Sequence, residues 1–465
     1  MAQTKHKSAS ELRKMIAERT SETGDGKLNA HARMKLLFDE GTFVEVGTYL
    51  CRKKTELDLS SDEDFEPVVT GYGAVDGALV YAFSQDFSRL SGALGEMHAK
   101  KIVNIIEMAQ NSEAPLVGVF DSAGAKILEG VDALAGYGRI MAALSDAPYL
   151  KKIAVIAGPC GGSSAVIARM FDIIITTEGG SLYIAPSSVL TDKTLGTPKH
   201  LAEAGISSLS AKDDAEAFAL VGKLLSYFGE TAESADDPSR AVDLDGIFAN
   251  ENYEVRDVIA QIVDAGSFFE LKAEHASHMA TGFATINSRP VGIVATDPAI
   301  KGGKLCPCSL EKAAEFIWLC GNFGLPVVTL VDTDGVAACD KAEAKDISRK
   351  LARLADAYVS NADCGVTVVL GKAYGTAYTV MGSKALGARV ALALDRAKIA
   401  PMAPERAVEF LGEVADESKA SETAAEWAEK FASPLEAAKS GHIDDIIEAS
   451  ELRARIAASL EMLTF

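Results

Sequence analysis

Two stretches of this chain join an apolar run to a glycine turn and then to small residues, a pattern that can build an anion site from backbone alone. In the first, Ile153–Ile174 (IAVIAGPCGGSSAVIARMFDII), Ile153–Ala157 predicts a buried strand and Ser163–Met170 a helix that begins as the turn ends. The first N–H groups of a helix lack an intrahelical acceptor and carry partial positive charge, so they can hold an anionic oxygen. Gly161 and Gly162 let a ligand approach that backbone. In the second, Val366–Ala388 (VTVVLGKAYGTAYTVMGSKALGA), a strand, a turn around Tyr374–Thr376 and a helix through Met381 repeat the device. The chemistry on offer is stabilisation of an oxyanion that develops during reaction, about 3 kcal/mol per donor. Either turn alone is more often the mark of tight strand-to-helix packing; two in equivalent places of a duplication reverse that and favour amide chemistry.

Side-chain chemistry has little support. G-x-x-x-x-G-K-[ST], G-x-S-x-G and H-E-x-x-H do not occur, and Gly71 to Gly77 is one residue too long for a dinucleotide fingerprint. Of the seven histidines, His275 and His278 sit a helical turn apart without a third ligand nearby, which predicts a solvated helix face and no metal. His98, at a helix start behind Ser84–Phe87, suits a packed or capping role as well as a catalytic one. Seven cysteines, an odd number, fit a reducing compartment, and Cys306 and Cys308 lack the C-x-x-C spacing of a zinc ribbon, so both are read as structural. A formal net charge of −20 opposes non-specific nucleic-acid binding and is read as solubility. Neither a membrane span nor a signal peptide is legible, so a soluble, cytoplasmic protein is expected.

The elements around these turns alternate in the α/β manner. After a polar leader to about Leu28, with an amphipathic helix over Ser10–Arg19, a helix over Ala30–Asp39 is expected, with Ala32, Met34, Leu36, Leu37 and Phe38 on its apolar side. A charged loop, Arg52–Glu66, precedes a hairpin of Val68–Ala74 and Ala78–Phe83 about Asp76-Gly77. Then come a helix over Glu96–Gln110, a strand over Leu116–Phe120 opening into Asp121–Lys126, the first turn, and a strand over Asp172–Thr177. The acidic stretch between Glu230 and Asp245 suggests a boundary, giving domains 1–240 and 241–465. The second half repeats the order: a hairpin over Gly282–Thr296, a helix over Ser309–Asn322, a strand over Pro326–Val331, a loop from Asp332, and the second turn. Such correspondence is the signature of duplication. The stretch Ile443–Leu463 has apolar residues at helical spacing.

VVTGYGAVDGALVYAFSQDF, DSAGAKILEGV, GPCGGSSAV, GFATINSRPVGIV, GKAYGTAYTVMGSK and SGHIDDIIEASELRARI together resemble the carboxyltransferase subunit of biotin-dependent acyl-CoA carboxylases, the propionyl-CoA and acetyl-CoA carboxylase beta type. The similarity runs in order from about Leu28 to Leu463, and extends to the alpha subunit of biotin-dependent, sodium-pumping acyl-CoA decarboxylases. The resemblance implies duplicated crotonase-like domains, with each active site formed between the N-domain of one subunit and the C-domain of another. It implies that the amides of Gly162 and Ser163 hold the thioester oxygen of a short acyl-CoA as it becomes an enolate, beside Gly124, Ala125, Lys126 and Gly161. It likewise implies that the amides of Thr376 and Ala377, behind Tyr374 and Gly375, hold the ureido oxygen of biotin, and that Thr379 bears on acyl preference. Biotin would arrive on a separate carrier protein, since no A-M-K-M sequence occurs, and a biotin carboxylase subunit and a homo-hexamer of paired subunits are expected.

The chain departs from the family pattern in several places. Gly161-Gly162-Ser163 stands for alanine and two glycines, Thr376 for a glycine, and Lys126 for arginine, which loses the guanidinium fork. After Asp332, Thr333 to Asp340 replaces a Pro-Gly-Phe-Leu-Pro-Gly type of loop. Thr379 matches neither the acidic nor the apolar residue common there. Two alternatives follow: a decarboxylase alpha subunit working with membrane subunits, and a non-catalytic CoA-binding or architectural subunit.

Overall fold

A computed structural model describes residues 8, 10–11, 27–51, 53, 65–229, 236–361, 365–412 and 420–463. Most of the helix expected over Ser10–Arg19 and of the loop Arg52–Glu66 lies outside the described residues. The chain folds as two units, Met1–Leu225 and Ser226–Phe465, the break falling ahead of the acidic stretch from Glu230 to Asp245.

In the first unit, helix α1 (Ala30–Leu37) starts at Asn29, whose side chain accepts the Ala32 N–H. Its buried side differs from the sequence reading: Leu36 is exposed, whereas His31 and Arg33 are buried. Charge pairing overrides the apolar pattern here, because the Arg33 guanidinium meets Asp121 at 2.8 Å and Asp214 at 2.9 Å. Strand β1 (Val44–Glu45) precedes the expected hairpin, β2 (Val68–Val75) and β3 (Ala78–Gln85). Asp76 and Gly77 both take positive φ, and the Asp39 carboxylate accepts both of their N–H groups. There follow α2 (Glu96–Asn111), β4 (Leu116–Ser122), α3 (Val131–Ser145), β5 (Lys152–Gly161), α4 (Ser163–Ala168), β6 (Ile173–Thr177), β7 (Ser181–Tyr183), α5 (Pro198–Glu203), β8 (Leu209–Ala211) and α6 (Asp214–Leu225).

The strands form one sheet in the order β1-β2-β3-β4-β5-β6-β8, with β7 beside the end of β5. From β3 onward neighbours run parallel, so the strands are buried on both faces and read as continuous apolar runs. Its core holds Phe83, Phe120 and Phe171 edge to face, with ring centroids 5.4 to 6.3 Å apart. The cluster closes over Gly118, where a Cβ would lie 2.6 Å from the Phe83 ring.

The second unit repeats the plan: α7 (Asp245–Phe248), α8 (Val255–Ile262), β9 (Phe269–Leu271), β10 (Met279–Ile286), β11 (Arg289–Thr296), α9 (Pro307–Phe323), β12 (Val327–Thr333), α10 (Asp340–Glu343), α11 (Ile347–Ser360), β13 (Gly365–Tyr374), α12 (Gly375–Val380), β14 (Val390–Leu394), β15 (Lys398–Ala400), α13 (Pro404–Leu411), α14 (Ala420–Phe431), α15 (Pro434–Lys439), β16 (Asp445–Ile447) and α16 (Leu452–Leu463). Its sheet order, β16-β14-β13-β12-β11-β10-β9 with β15 beside β13, matches the first strand for strand. Pro290 is tolerated inside β11 because parallel pairing with β12 begins only at Gly292. Two expectations need correction. The helical stretch from Ile443 splits: Asp445–Ile447 pairs with β14 as an edge strand, and a 3-10 turn over Ala449–Glu451 leads into the α-helix Leu452–Leu463. His275 and His278 lie on the loop between β9 and β10, not on a helix.

Candidate functional site

Both glycine turns sit at the carboxyl ends of central parallel strands, β5 and β13. Gly162 takes φ 58°, ψ −129°, a backbone region closed to L side chains, and so reverses the chain from strand into α4. Its own N–H is engaged, donating to the Tyr183 carbonyl at 2.9 Å. The first bond inside the helix runs from Ala165 N–H to the Gly162 carbonyl, 3.0 Å, so the amides of Ser163 and Ser164 precede any intrahelical acceptor. Ser163 is half-buried; Ser164 is buried, with its hydroxyl 3.2 Å from that of Tyr137. Gly161 lies under the Tyr183 ring, where a Cβ would stand 2.6 Å from a ring carbon, which accounts for glycine instead of alanine at this position.

At the second turn Gly375 takes φ 57°, and a Cβ there would meet the Pro401 carbonyl at 2.9 Å. Thr376 and Thr379 are exposed and Ala377 is buried. The Tyr374 side chain is buried, and its hydroxyl is pushed up by burial and by Glu405, Asp334, Asp332 and Glu251. The strand registers equate the two turns: Ser122 pairs with Cys160 and Thr333 with Ala373, so Ser163 and Ser164 are the counterparts of Thr376 and Ala377.

Beside each turn, the segment leaving the neighbouring strand forms a strap. The Leu94 N–H donates to the Gly124 carbonyl and the Lys126 N–H to the Leu94 carbonyl, both at 2.9 Å. Leu305 does the same with Gly335 (2.9 Å) and Ala337 (2.8 Å). Ser122 Oγ and Thr333 Oγ1 each accept the glycine N–H at 3.1 Å, and Gly124 and Gly335 take φ 120° and 116°. Gly124, Ala125 and Lys126 thus stand at the same sheet end as Gly161 to Ser163. The Lys126 ammonium is turned inward, 2.9 Å from Glu129 and 3.0 Å from the Lys53 carbonyl, so this segment offers outward chiefly its backbone.

Under each strap lies a carboxylate that the sequence reading passed over. Asp121 is fully buried, held by Lys27 at 2.6 Å and Arg33 at 2.8 Å. Asp332, also buried, accepts the Tyr253 hydroxyl and the Lys372 N–H, both at 2.9 Å. Burial pushes the Asp332 carboxyl up, and those two donors and Lys372 oppose it. Gly158 and Gly371 make the room: a Cβ on either would fall 2.0 or 2.1 Å from a carboxylate oxygen. The available signal was an Asp-Ser or Asp-Thr ending an apolar strand, with glycine at the facing position of the next. A cavity of about 300 Å³ lined by Asp332, Asp334, Lys372, Tyr374, Arg396 and Glu405 opens beside the second carboxylate. His98 is fully buried and, by burial and Lys101, held down at about 3, hence neutral and packed. Among the described residues no group of three or more His, Cys, Asp or Glu is placed to hold a metal ion, and no helix is long and apolar enough to cross a membrane.

Residues 21–464 match the family described as carboxyl transferase domain. The chain is 33% identical to the propionyl-CoA carboxylase beta chain of Roseobacter denitrificans, over 95% of this chain and 91% of that one. It is 36% identical to the methylmalonyl-CoA decarboxylase subunit alpha of Propionigenium modestum, over 94% and 90%. Its fold superposes on the transcarboxylase 12S crystal structure, a hexamer with methylmalonyl-coenzyme A and methylmalonic acid bound, with a TM-score of 0.90 and 34% identity over 98% of this chain and 94% of the other. Two crotonase-like units, one built on the plan of the other, are therefore what the duplication in the sequence folds into, and the chain belongs to the carboxyl transferase family, enzymes of carboxyl transfer on acyl-CoA.

Proposed function

We propose that this chain moves a carboxyl group between carboxybiotin, presented on a separate carrier protein, and the α-carbon of a short-chain acyl-CoA. The observation that carries this reading is the pair of equivalent bends, each ending a central parallel strand and each offering first-turn amides. In the first unit the donors we assign to the thioester oxygen are Ser163 and Ser164, with Gly162 as the pivot that aims them, because the Gly162 N–H already serves Tyr183. An enolate oxygen gains more from these donors than the neutral thioester does, so they lower the barrier to losing the α-proton. The backbone of Gly124 to Lys126 flanks that oxygen on the adjacent strand end.

In the second unit Thr376 and Ala377 are the donors for the ureido oxygen of biotin. The fit is favoured by the exposure of Thr376, which leaves the start of α12 open, and by Gly375, which keeps side-chain atoms off the bend. When bound, the cofactor supplies the carboxyl group and, once that is released, the base for the α-proton; the chain's own part is to hold two oxyanions in register and to keep water out. No side-chain acid or base is required. Thr379 stands three residues along the same helix, where it bears on acyl chain length.

Assembly from paired copies, up to a hexamer, is part of this proposal. Helix α3 opens with apolar residues in solvent, Val131 and Leu134 being 74% and 58% exposed, next to Ile127 at 87%. Large apolar side chains this exposed, close together in sequence, are what we expect a second subunit to cover. The test is direct: the purified chain, given free biotin and malonyl- or methylmalonyl-CoA, decarboxylates the thioester in a biotin-dependent way. Failure with every acyl-CoA at saturating biotin refutes the assignment. The similarity to a methylmalonyl-CoA decarboxylase subunit keeps open the reverse physiological direction, which co-purification of membrane subunits in place of a biotin carboxylase would establish.

A further inference from the structure

The twin helices α2 and α9 begin with different chemistry. At the start of α2 the cap position is Gly95, and the Glu129 carboxylate reaches in to accept the Glu96 N–H at 2.6 Å while Lys126 holds its other oxygen at 2.9 Å. At the start of α9 the cap position is Cys306, whose sulfur accepts the Ser309 N–H and lies 3.3 Å from His278 Nε2. The straps make the two places equivalent, Leu94 and Leu305 bonding alike to Gly124 and Gly335. A carboxylate and an ammonium in one unit are thus replaced by a thiol and an imidazole in the other. The first turn of a 17-residue helix favours the charged form of such a sulfur.

The imidazole is held there by a built loop. Between β9 and β10, Lys272 and Ala276 take φ 54° and 44°, strained for residues with a side chain. The buried Lys312 fixes them, donating to the carbonyls of Lys272 at 2.8 Å and His275 at 2.9 Å. Burial alone would push the Cys306 thiol up; the His278 ring, the Ser309 N–H and the Ser309 hydroxyl outweigh it and bring the thiol down to about 6. Cys308 keeps its proton, pushed up by burial and by Cys306, with Lys345 opposing and Glu311 assisting. Both thiols are partly exposed.

We propose that Cys306 is a reactive thiolate and that Cys306, His278 and Cys308 form a hydroperoxide-sensitive modification site at the start of α9. The Cys306 sulfur attacks one peroxide oxygen and the O–O bond breaks. The other oxygen leaves as hydroxide or alkoxide and takes a proton from solvent, so the peroxide is reduced by the two electrons that oxidise the sulfur to a sulfenic acid. The Cys308 sulfur then displaces the hydroxyl, its proton leaving with it as water, and an S–S bond joins residues 306 and 308. The oxidised sulfur no longer caps α9 as an anion.

The test uses the intact protein and reads each cysteine separately. Iodoacetamide labelling, followed by peptide mass spectrometry from about pH 5 to about pH 9, should show Cys306 half-maximally reactive near about pH 6, well below the value of about 8.5 for free cysteine run beside it. His278→Asn should move that midpoint towards the free value; if the variant does not fold, the wild-type profile decides alone. With equimolar hydrogen peroxide, the peptide spanning residues 306 and 308 should lose two hydrogens, and Cys308→Ser should yield a dimedone adduct on Cys306 instead. A Cys306 profile that follows free cysteine, or peroxide treatment that leaves that peptide unchanged and gives no adduct, overturns the proposal.

Discussion

Replacing Gly162 by alanine isolates the contribution of the first bend, because nothing lies within 4 Å of the position its Cβ would take. The cost is therefore one of backbone conformation. At φ 58°, ψ −129° an L residue is strained by about 1–3 kcal/mol. The chain either bears that strain, and unfolds at lower urea, or relaxes the bend and turns one of the Ser163 and Ser164 amides away from the oxyanion. Relaxation forfeits one donor, about 3 kcal/mol, and at about 1.4 kcal/mol per decade kcat falls about 100- to 1,000-fold. The assay is biotin-dependent decarboxylation of malonyl- or methylmalonyl-CoA, with stability followed in parallel by urea unfolding. The expected pattern is a large loss in kcat for both substrates with KM for biotin little changed. Gly375→Ala should instead weaken the biotin side, raising KM for free biotin, since its Cβ would press on Pro401 at 2.9 Å. If Gly162→Ala leaves kcat within about twofold of wild type and the urea midpoint unchanged as well, neither branch holds, and a strained bend that aims the amides is not the source of catalysis.

Gly158→Ala and Gly371→Ala should each lower stability by about 1–3 kcal/mol or more, since each Cβ would fall about 2 Å from a buried carboxylate oxygen; urea midpoints measure this, and wild-type values would show that the carboxylates do not sit where described. Tyr253→Phe removes a donor from Asp332 and should cost about 1.5–3 kcal/mol at neutral pH. A carboxyl raised in the folded state gives stability that is present below its unfolded value and lost as pH rises through the folded one, and loss of the hydroxyl raises it further. The deficit of the variant should therefore grow as pH rises above the unfolded carboxyl value and shrink below it, and a pH-independent deficit would count against this. Thr379→Ile should change the ratio of kcat/KM between acetyl-CoA and propionyl-CoA by about tenfold, the scale of one methylene in a pocket, whereas equal effects on both esters would remove residue 379 from acyl selection.

What the sequence made legible was whatever depends on backbone and on apolar period. Strands such as Ile153–Ala157 and Leu116–Phe120 stand out because both faces of a parallel sheet are buried, and the bends stand out because Gly162 and Gly375 cannot be replaced where φ is positive. Three kinds of feature stayed hidden. Donor assignment at Gly162 depends on the Tyr183 carbonyl, twenty-one residues away by number and adjacent only through β7. The burial of Arg33 in place of Leu36 depends on Asp121 and Asp214, so the local apolar pattern misleads. The strand over Asp445–Ile447 has helical spacing around it, and only an open edge of β14 turns it into sheet.

The two halves also show which parts of the design are fixed and which are free. Both keep the strand order, the bend glycine, the strap bonded to a leucine, and a carboxylate under the strap faced by glycine on the next strand. They differ in how that carboxylate is neutralised: two cations reach Asp121, while a phenol and a backbone amide reach Asp332. A buried carboxylate without partners is strongly destabilising, so some solution is obligatory, but its identity is not. The function common to both carboxylates is therefore positional: each accepts donors brought by distant segments and so pins the strand end from which the strap departs. On the function proposed above, this layer of side chains behind each bend guards the geometry of the amides, and it keeps that role although its own partners differ between the two units.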